Sequence, residues 1–213
     1  MTTDALLTLT QWLSPGFPVG AFAYSHGLER AIDDGALRDA ETLSIWLEDI
    51  LRFGSGRADA ILLVAACSAA PEDVQRIDSI GRAFAATRER LTETVDQGGA
   101  FASTVDAIWD TDIGPLSYPV AVGRAARARD VPLQMAVELY LHAFAANLVS
   151  AAVRLVPLGQ TEGQAVLAGL SDTVRAVAAD ALALTLDDLS SATFAADIAS
   201  MRHETQYAKV FRT

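Results

Sequence analysis

Apolar side chains recur at three- and four-residue spacing along almost the whole chain, and this period restricts the fold more than any other feature. Leu43, Trp46, Leu47, Ile50 and Leu51 form one such stripe, the signature of an amphipathic helix. Leu91, Val95, Ala102, Val105 and Ile108 or Trp109 form a second, and Val166, Leu170, Val174, Val177 and Ala181 a third. The punctuation agrees. Asp39 is placed to cap the first stripe and Gly54-Ser55-Gly56 to end it. Pro71, followed by Glu72 and Asp73, fits a first-turn proline with acids at the helix dipole. Pro115 and Pro119 break the chain after Trp109, Pro132 opens a long apolar helix and Pro157 closes it. The best strand candidate, Ile61–Val64, reads equally well as helix. The expectation is an all-α, single-domain bundle of about eight to ten helices. Residues 1–200 form its body, with a Pro/Gly aromatic loop at 14–29, and residues 201–213 form a partner-binding tail.

Within that frame, Leu133–Leu158 is apolar nearly all round. It is long enough to span a bilayer, but Glu138, His142, Asn147 and Arg154 interrupt it. It is expected to be the centre of the bundle, or in part a subunit interface; its small residues Ala143, Ala145, Ala146, Ser150, Ala151 and Ala152 suit either. The N-terminal Met1-Thr2-Thr3-Asp4 lacks the basic start of a signal peptide, so the expected location is the cytoplasm, with no membrane partner. A net charge of −11 argues against nucleic acid, which needs a basic face. Cys67, the only cysteine, is expected to be a buried thiol. Lys209 is the only lysine, which removes the lysine-bearing phosphate loop and leaves a Schiff-base enzyme one residue to use.

Catalytic constellations are missing from the sequence. His26, His142 and His203 have no second His or Cys at chelating spacing, and His203-Glu204 fails the zincin pattern because Tyr207 stands where the second His belongs. His142 is expected to be a hydrogen-bonded core or interface histidine. Acid pairs such as Glu48-Asp49 point about 100° apart on a helix and do not converge. Arg124, Arg127 and Arg129 make a small basic stripe, read as a local salt-bridge surface or, less favourably, an acidic-partner site. Two segments are odd for ordinary packing. The loop from Ser14 to Glu29 carries Phe17, Phe22 and Tyr24 among glycines and prolines; these aromatics either plug the bundle end or anchor a contact. The terminus from Arg202 to Thr213 places Tyr207 and Phe211 at helical i, i+4 spacing and is locally basic in an acidic chain. It fits a helix laid in a partner's groove or a terminal helix docked on its own bundle, and the charge contrast favours the partner.

These same segments carry a family likeness. Ser14, Pro15, Pro18, Gly20, Phe22, Tyr24, Ser25, Gly27, Leu28 and Glu29 follow in order an N-terminal pattern of the urease accessory protein UreF family. Pro157, Leu158, Gly159, Gln160, Gly163 and Gln164 match its central pattern, and His203, Glu204, Gln206, Tyr207, Phe211 and Arg212 its terminal one. Ala208 departs where the family has serine. The chain therefore resembles UreF over essentially its whole length. The resemblance implies a non-enzymatic homodimer with no cofactor of its own. It implies binding to the accessory protein UreD (also called UreH), to the GTPase UreG and to apo-urease. GTP hydrolysis would be coupled to nickel delivery, the ion being at most transiently relayed. It assigns UreD docking to the tail, and makes Tyr24, Glu29 and the acidic surface candidates for GTPase contact. The rival reading is a helical small-ligand binder or enzyme using the apolar core around His142.

Overall fold

The computed structural model describes residues 3–213. Among these residues there are eleven α-helices and no strand. They are α1 (Thr3–Trp12), α2 (Leu28–Asp33), α3 (Ala40–Phe53), α4 (Ser55–Ser68), α5 (Val74–Phe84) and α6 (Arg88–Trp109), then α7 (Tyr118–Ala128), α8 (Leu133–Leu155), α9 (Gln160–Gly169), α10 (Ser171–Ala181) and α11 (Phe194–His203). Ten of the eleven have ten residues or more, and α2 has six. The all-α single-domain expectation holds, with one continuous apolar core drawn from every part of the chain.

Local chemistry sets the boundaries. Asp39 accepts the Thr42 amide at 2.9 Å while the Thr42 hydroxyl accepts the Asp39 amide at 3.2 Å, a reciprocal cap that stabilises the start of α3 by about 1 kcal/mol. Gly54 ends α3 and leads directly into α4. Pro71 opens a 3-10 turn running into α5, and Pro119 sits in the first turn of α7, where a missing amide costs nothing. Arg124 donates to the carbonyls of Ala66 and Ala69 at 3.3 and 3.1 Å, capping the end of α4 in place of the salt-bridge surface expected of it.

The central helix is α4, not α8. Gly56, Ala58, Ala60, Ile61, Leu62, Leu63, Val64, Ala66 and Cys67 are all buried, and α3, α5, α7, α8 and α10 pack around it. Short side chains allow this: a Cβ on Gly123 of α7 would lie 2.4 Å from the Leu63 carbonyl oxygen. Although α8 is long and apolar enough to cross a membrane by length and composition, half of that stretch is buried, and the rest, including the exposed His142, lies at the surface. The core role expected of His142 is thereby overturned.

Two stripes also differ in detail. Leu170 separates α9 from α10, so the third stripe spans two helices while its residues stay buried. On α6 the inward face is Glu93, Gln97, Phe101 and Val105, whereas Leu91 and Ile108 are exposed. Ala102 and Val105 of the expected stripe are buried, but its first turns are out of phase, because buried carboxylate and amide groups occupy positions that apolar scanning skips.

Candidate functional site

The N-terminal motif and the tail, far apart in sequence, meet. The backbone turns sharply at His26 (φ +61°) and Gly27 (φ +76°). Gly27 is also in close contact with α11: a Cβ there would fall 2.8 Å from the Ser200 nitrogen. Glycine thus satisfies both the left-handed backbone and the approach of α11 to α2. That approach carries His203, fully buried at the end of α11, to Glu29, with Nε2 3.3 Å from Glu29 Oε2. Its Nδ1 lies 2.7 Å from Glu89 Oε2, and Glu89 Oε1 accepts Lys209 Nζ at 2.7 Å.

Beyond His203 the chain is not helical, which corrects the amphipathic terminal helix expected from Tyr207 and Phe211. The reason lies in Glu29. Its buried carboxylate accepts the consecutive amides of Val210 and Phe211 at 2.8 and 2.9 Å, groups a helix would bond to its own carbonyls. Tyr207 consequently projects fully into solvent while Phe211 is 4% exposed. The Arg154 guanidinium lies 5.5 Å from the Phe211 ring centre and donates to the Phe22 carbonyl. The Arg212 amide donates to Ala23 O at 2.8 Å, and the Ser25 amide and hydroxyl both donate to Thr213 O. Glu204 accepts the Arg88 amide at 2.9 Å, and Gln206 donates to the Ala208 carbonyl at 3.1 Å. Of the loop aromatics, Phe17 and Tyr24 are buried plugs and Phe22 is exposed.

Beneath the tail lies a buried polar seam that the sequence did not reveal. Thr213 donates its hydroxyl to Glu93 at 2.9 Å, Glu93 pairs with Arg90, and His26 Nε2 meets the Ser55 hydroxyl at 2.6 Å. His26 Nδ1, without a hydrogen-bond partner among the described residues, faces Glu93 at 3.8 Å. Burial, aided by the Arg90 charge, lowers His26 to about 4. For Glu93, burial pulls upward but Arg90 and His26 outweigh it, leaving it at about 2. Asp59, accepting the Tyr140 hydroxyl at 2.8 Å, is raised by burial to about 6. The available signal was Glu93 and Gln97, four apart on one helix and in line with Phe101 and Val105: polar groups on an apolar face need buried partners.

Other expected residues sit elsewhere. Tyr24 and Glu29 are buried and used internally, Tyr24 donating to Asp96 at 3.1 Å, so neither side chain is free for GTPase contact while the tail is docked. Ser14 is half-buried, Pro15 and Pro18 are exposed, and Gly20 precedes a 3-10 turn at Ala21–Ala23. Pro157, Gly159, Gln160 and Gln164 are exposed at the α8–α9 turn, where Gly159 donates its amide to Glu162 at 2.9 Å; they make no hydrogen bond to the other two motifs among the described residues. No cluster of three or more His, Cys, Asp or Glu side chains suited to a metal ion occurs among the described residues.

Two features among the described residues are suited to binding. Along α11, Phe194, Ile198 and Met201 form an exposed apolar row at i, i+4 and i+7, and Tyr207 and Val210 are exposed on the tail beyond it. Between α1, the 14–22 loop, α6 and α8 lies a cavity of about 480 Å³, walled by Trp12, Leu13, Phe17 and Leu139, with Asp59, Arg90 and His142 among its polar lining.

Known proteins resemble the chain closely. The UreF family model matches residues 37–171. The urease accessory protein UreF of Roseobacter denitrificans is 68% identical over 213 residues, covering all of this chain and 96% of that one. The proteins of the same description from Ruegeria sp. (strain TM1040) and Cereibacter sphaeroides (strain ATCC 17029) are 54% and 53% identical, covering 100% and 98% of this chain and 100% and 99% of theirs. A full-length likeness of this strength places the chain in the UreF family of urease accessory proteins.

Proposed function

We propose that the chain is a docking subunit in urease maturation. It binds a UreD/UreH-type protein through α11 and the tail, binds the UreG GTPase through another part of its acidic surface, and couples GTP hydrolysis to nickel delivery into apo-urease. The observation that carries this reading is the exposed apolar row Phe194, Ile198 and Met201 on α11, with Tyr207 exposed on the tail that follows, since an exposed apolar patch marks a protein contact. The net charge of −11 serves solubility and the steering of partners rather than catalysis. Nickel is cargo, held weakly enough to pass on. The half-exposed face of α8, with its small residues, serves the homodimer, and the assembly works in the cytoplasm.

Pull-down of UreD by the full chain, by a variant ending at His203 and by Phe194→Asp/Met201→Asp tests the reading. Both variants are expected to lose at least about tenfold in affinity, because a central apolar anchor contributes 1.4 kcal/mol or more. Unchanged UreD capture by both would overturn it. The cavity of about 480 Å³ supports the alternative of a small-ligand binder. Saturable, stoichiometric displacement of anilinonaphthalene sulfonate by a cell-extract metabolite, with no UreD capture, would favour that alternative.

A further inference from the structure

We propose that the cavity of about 480 Å³ between α1, α6 and α8 is a binding site for a small organic cation with an apolar body, an aryl- or alkylammonium, whose charge meets the Asp59 carboxylate. None of the lining residues belongs to α11, so the site is separate from the docking face described above and does not depend on it.

The charges of the lining point to a cation. It holds two carboxylates, Asp59 and Glu93. Glu93 is already satisfied, by the Arg90 guanidinium and the Thr213 hydroxyl. Asp59 has no ion pair among the described residues; its Oδ2 accepts the Tyr140 hydroxyl at 2.8 Å and its Oδ1 accepts nothing. Burial raises Asp59 to about 6 even though the Arg90 charge opposes it. A cation beside the free oxygen would offset that cost of burial.

The walls around this carboxylate are aromatic. Trp12, Phe17, Tyr118, Tyr140 and Phe144 all line the cavity, and the rings of Tyr118 and Tyr140 lie 5.4 Å apart. Ring faces attract an ammonium group within about 6 Å, and Leu13 and Leu139 offer apolar surface to the rest of the molecule. A strongly hydrated inorganic ion gains little from such walls; an organic cation buries its carbon skeleton against them. Trp12, fully buried in the same wall, keeps its Nε1 without a hydrogen-bond partner among the described residues, a second polar atom there that the protein's own groups do not use. On the exposed side of the lining stand His142, Ser150 and Arg154, and Arg154 is engaged by the Phe22 carbonyl and the Phe211 ring. An organic anion would meet Arg154 at this rim, but burying its body would bring its carboxylate towards Asp59.

Calorimetric titration of the full chain at about pH 8, above the Asp59 value of about 6, tests the site with three ligands of similar shape: phenethylammonium, phenethyl alcohol and phenylacetate. The ammonium is expected to bind one to one and at least about tenfold more tightly than the alcohol, with phenylacetate weaker than both. Asp59→Asn, which keeps an acceptor for Tyr140, should bring the ammonium to within about threefold of the alcohol and leave the alcohol unchanged. Leu139→Trp, which fills the cavity, should weaken both by at least about tenfold. Equal affinity for ammonium and alcohol in the unaltered chain, tighter binding of phenylacetate, or no saturable binding of the ammonium overturns the proposal. A preference that survives Asp59→Asn, or ammonium binding untouched by Leu139→Trp, overturns it too. Should Asp59→Asn fail to fold, judged by the thermal midpoint of its helical signal, the three-ligand comparison and Leu139→Trp decide on the same terms. UreD capture by the same preparations reports on the docking reading separately, and its loss leaves this result standing.

Discussion

Where α4 meets α7, Gly123 lies against the Leu63 backbone, and Ala60, Ala66, Ala121, Ala125 and Ala126 are fully enclosed. Beneath the tail, His26, Glu29, Glu93 and His203 are almost as deeply enclosed. The first contact is held mainly by shape: removing side-chain volume brings two helix axes together, and its enclosed glycine and alanines need no particular partner, the Arg124 bonds to the end of α4 aside. The second is held by charges that must meet across the chain, since a buried carboxylate without a cation or amide is costly. Damage to the two regions should therefore differ in kind. The shape-built contact fails when anything is added, and the charge-built seam fails when one member is taken away.

The largest effect is expected from Glu93→Ala. It strands the Arg90 guanidinium, removes the acceptor of Thr213 and leaves His26 without its facing carboxylate. Breaking a buried pair from one side costs about 3–5 kcal/mol, to be read from the shift in a urea unfolding midpoint. Exchanging Arg90 and Glu93 together for apolar residues of similar volume should recover most of that loss. A double variant as unstable as the single one would show that the seam is not charge-built. Next comes Gly123→Ala. Its new methyl group would sit 2.4 Å from the Leu63 carbonyl oxygen, so α4 and α7 must part, at about 1–3 kcal/mol. Calorimetry showing a loss below about 0.5 kcal/mol would mean that this contact is looser than its geometry.

The same contrast explains what could be read from the residues. A helical period, a capping aspartate and a proline at a helix start are local properties, and they located α3 and α8 closely. The centrality of α4 was missed because a helix of small residues gives a weak amphipathic signal, while the longer and more apolar α8 stood out though half of it faces outward. His203 looked like an isolated histidine because its partners, Glu29 and Glu89, are more than a hundred residues away in the chain. Family motifs marked the two segments that meet, but only their geometry shows that Phe211 is turned inward and Tyr207 outward. Spacing along a helix could not have shown this, because the segment is held by Glu29 in a non-helical form.

The smallest effect, and the sharpest test of the seam, is its response to pH. His26 has a folded value of about 4 against an ordinary 6.5, so the unfolded chain takes up a proton first, and stability falls as pH drops from about 6.5 towards 4. Asp59 runs the other way. Its folded value of about 6 lies above an ordinary 3.8, so the folded chain takes up the proton first, and stability rises as pH drops from about 6 towards 4. Between pH 7 and 4.5 these opposed contributions, each about 2–3 kcal/mol, should leave a net change under about 1 kcal/mol. Glu93, with a folded value of about 2 against an ordinary 4.5, adds a loss only below that window, so stability should drop steeply once pH falls under about 4. In Asp59→Asn, where Tyr140 keeps a hydrogen-bond acceptor, the gain disappears and the His26 loss stands uncovered: the variant should lose about 2–3 kcal/mol between pH 7 and 4.5 while the parent stays nearly level. Parallel urea titrations at half-unit pH steps decide it. Matching slopes for parent and variant would mean that Asp59 takes up no extra proton in the folded chain over this range, and that the two buried groups do not offset each other.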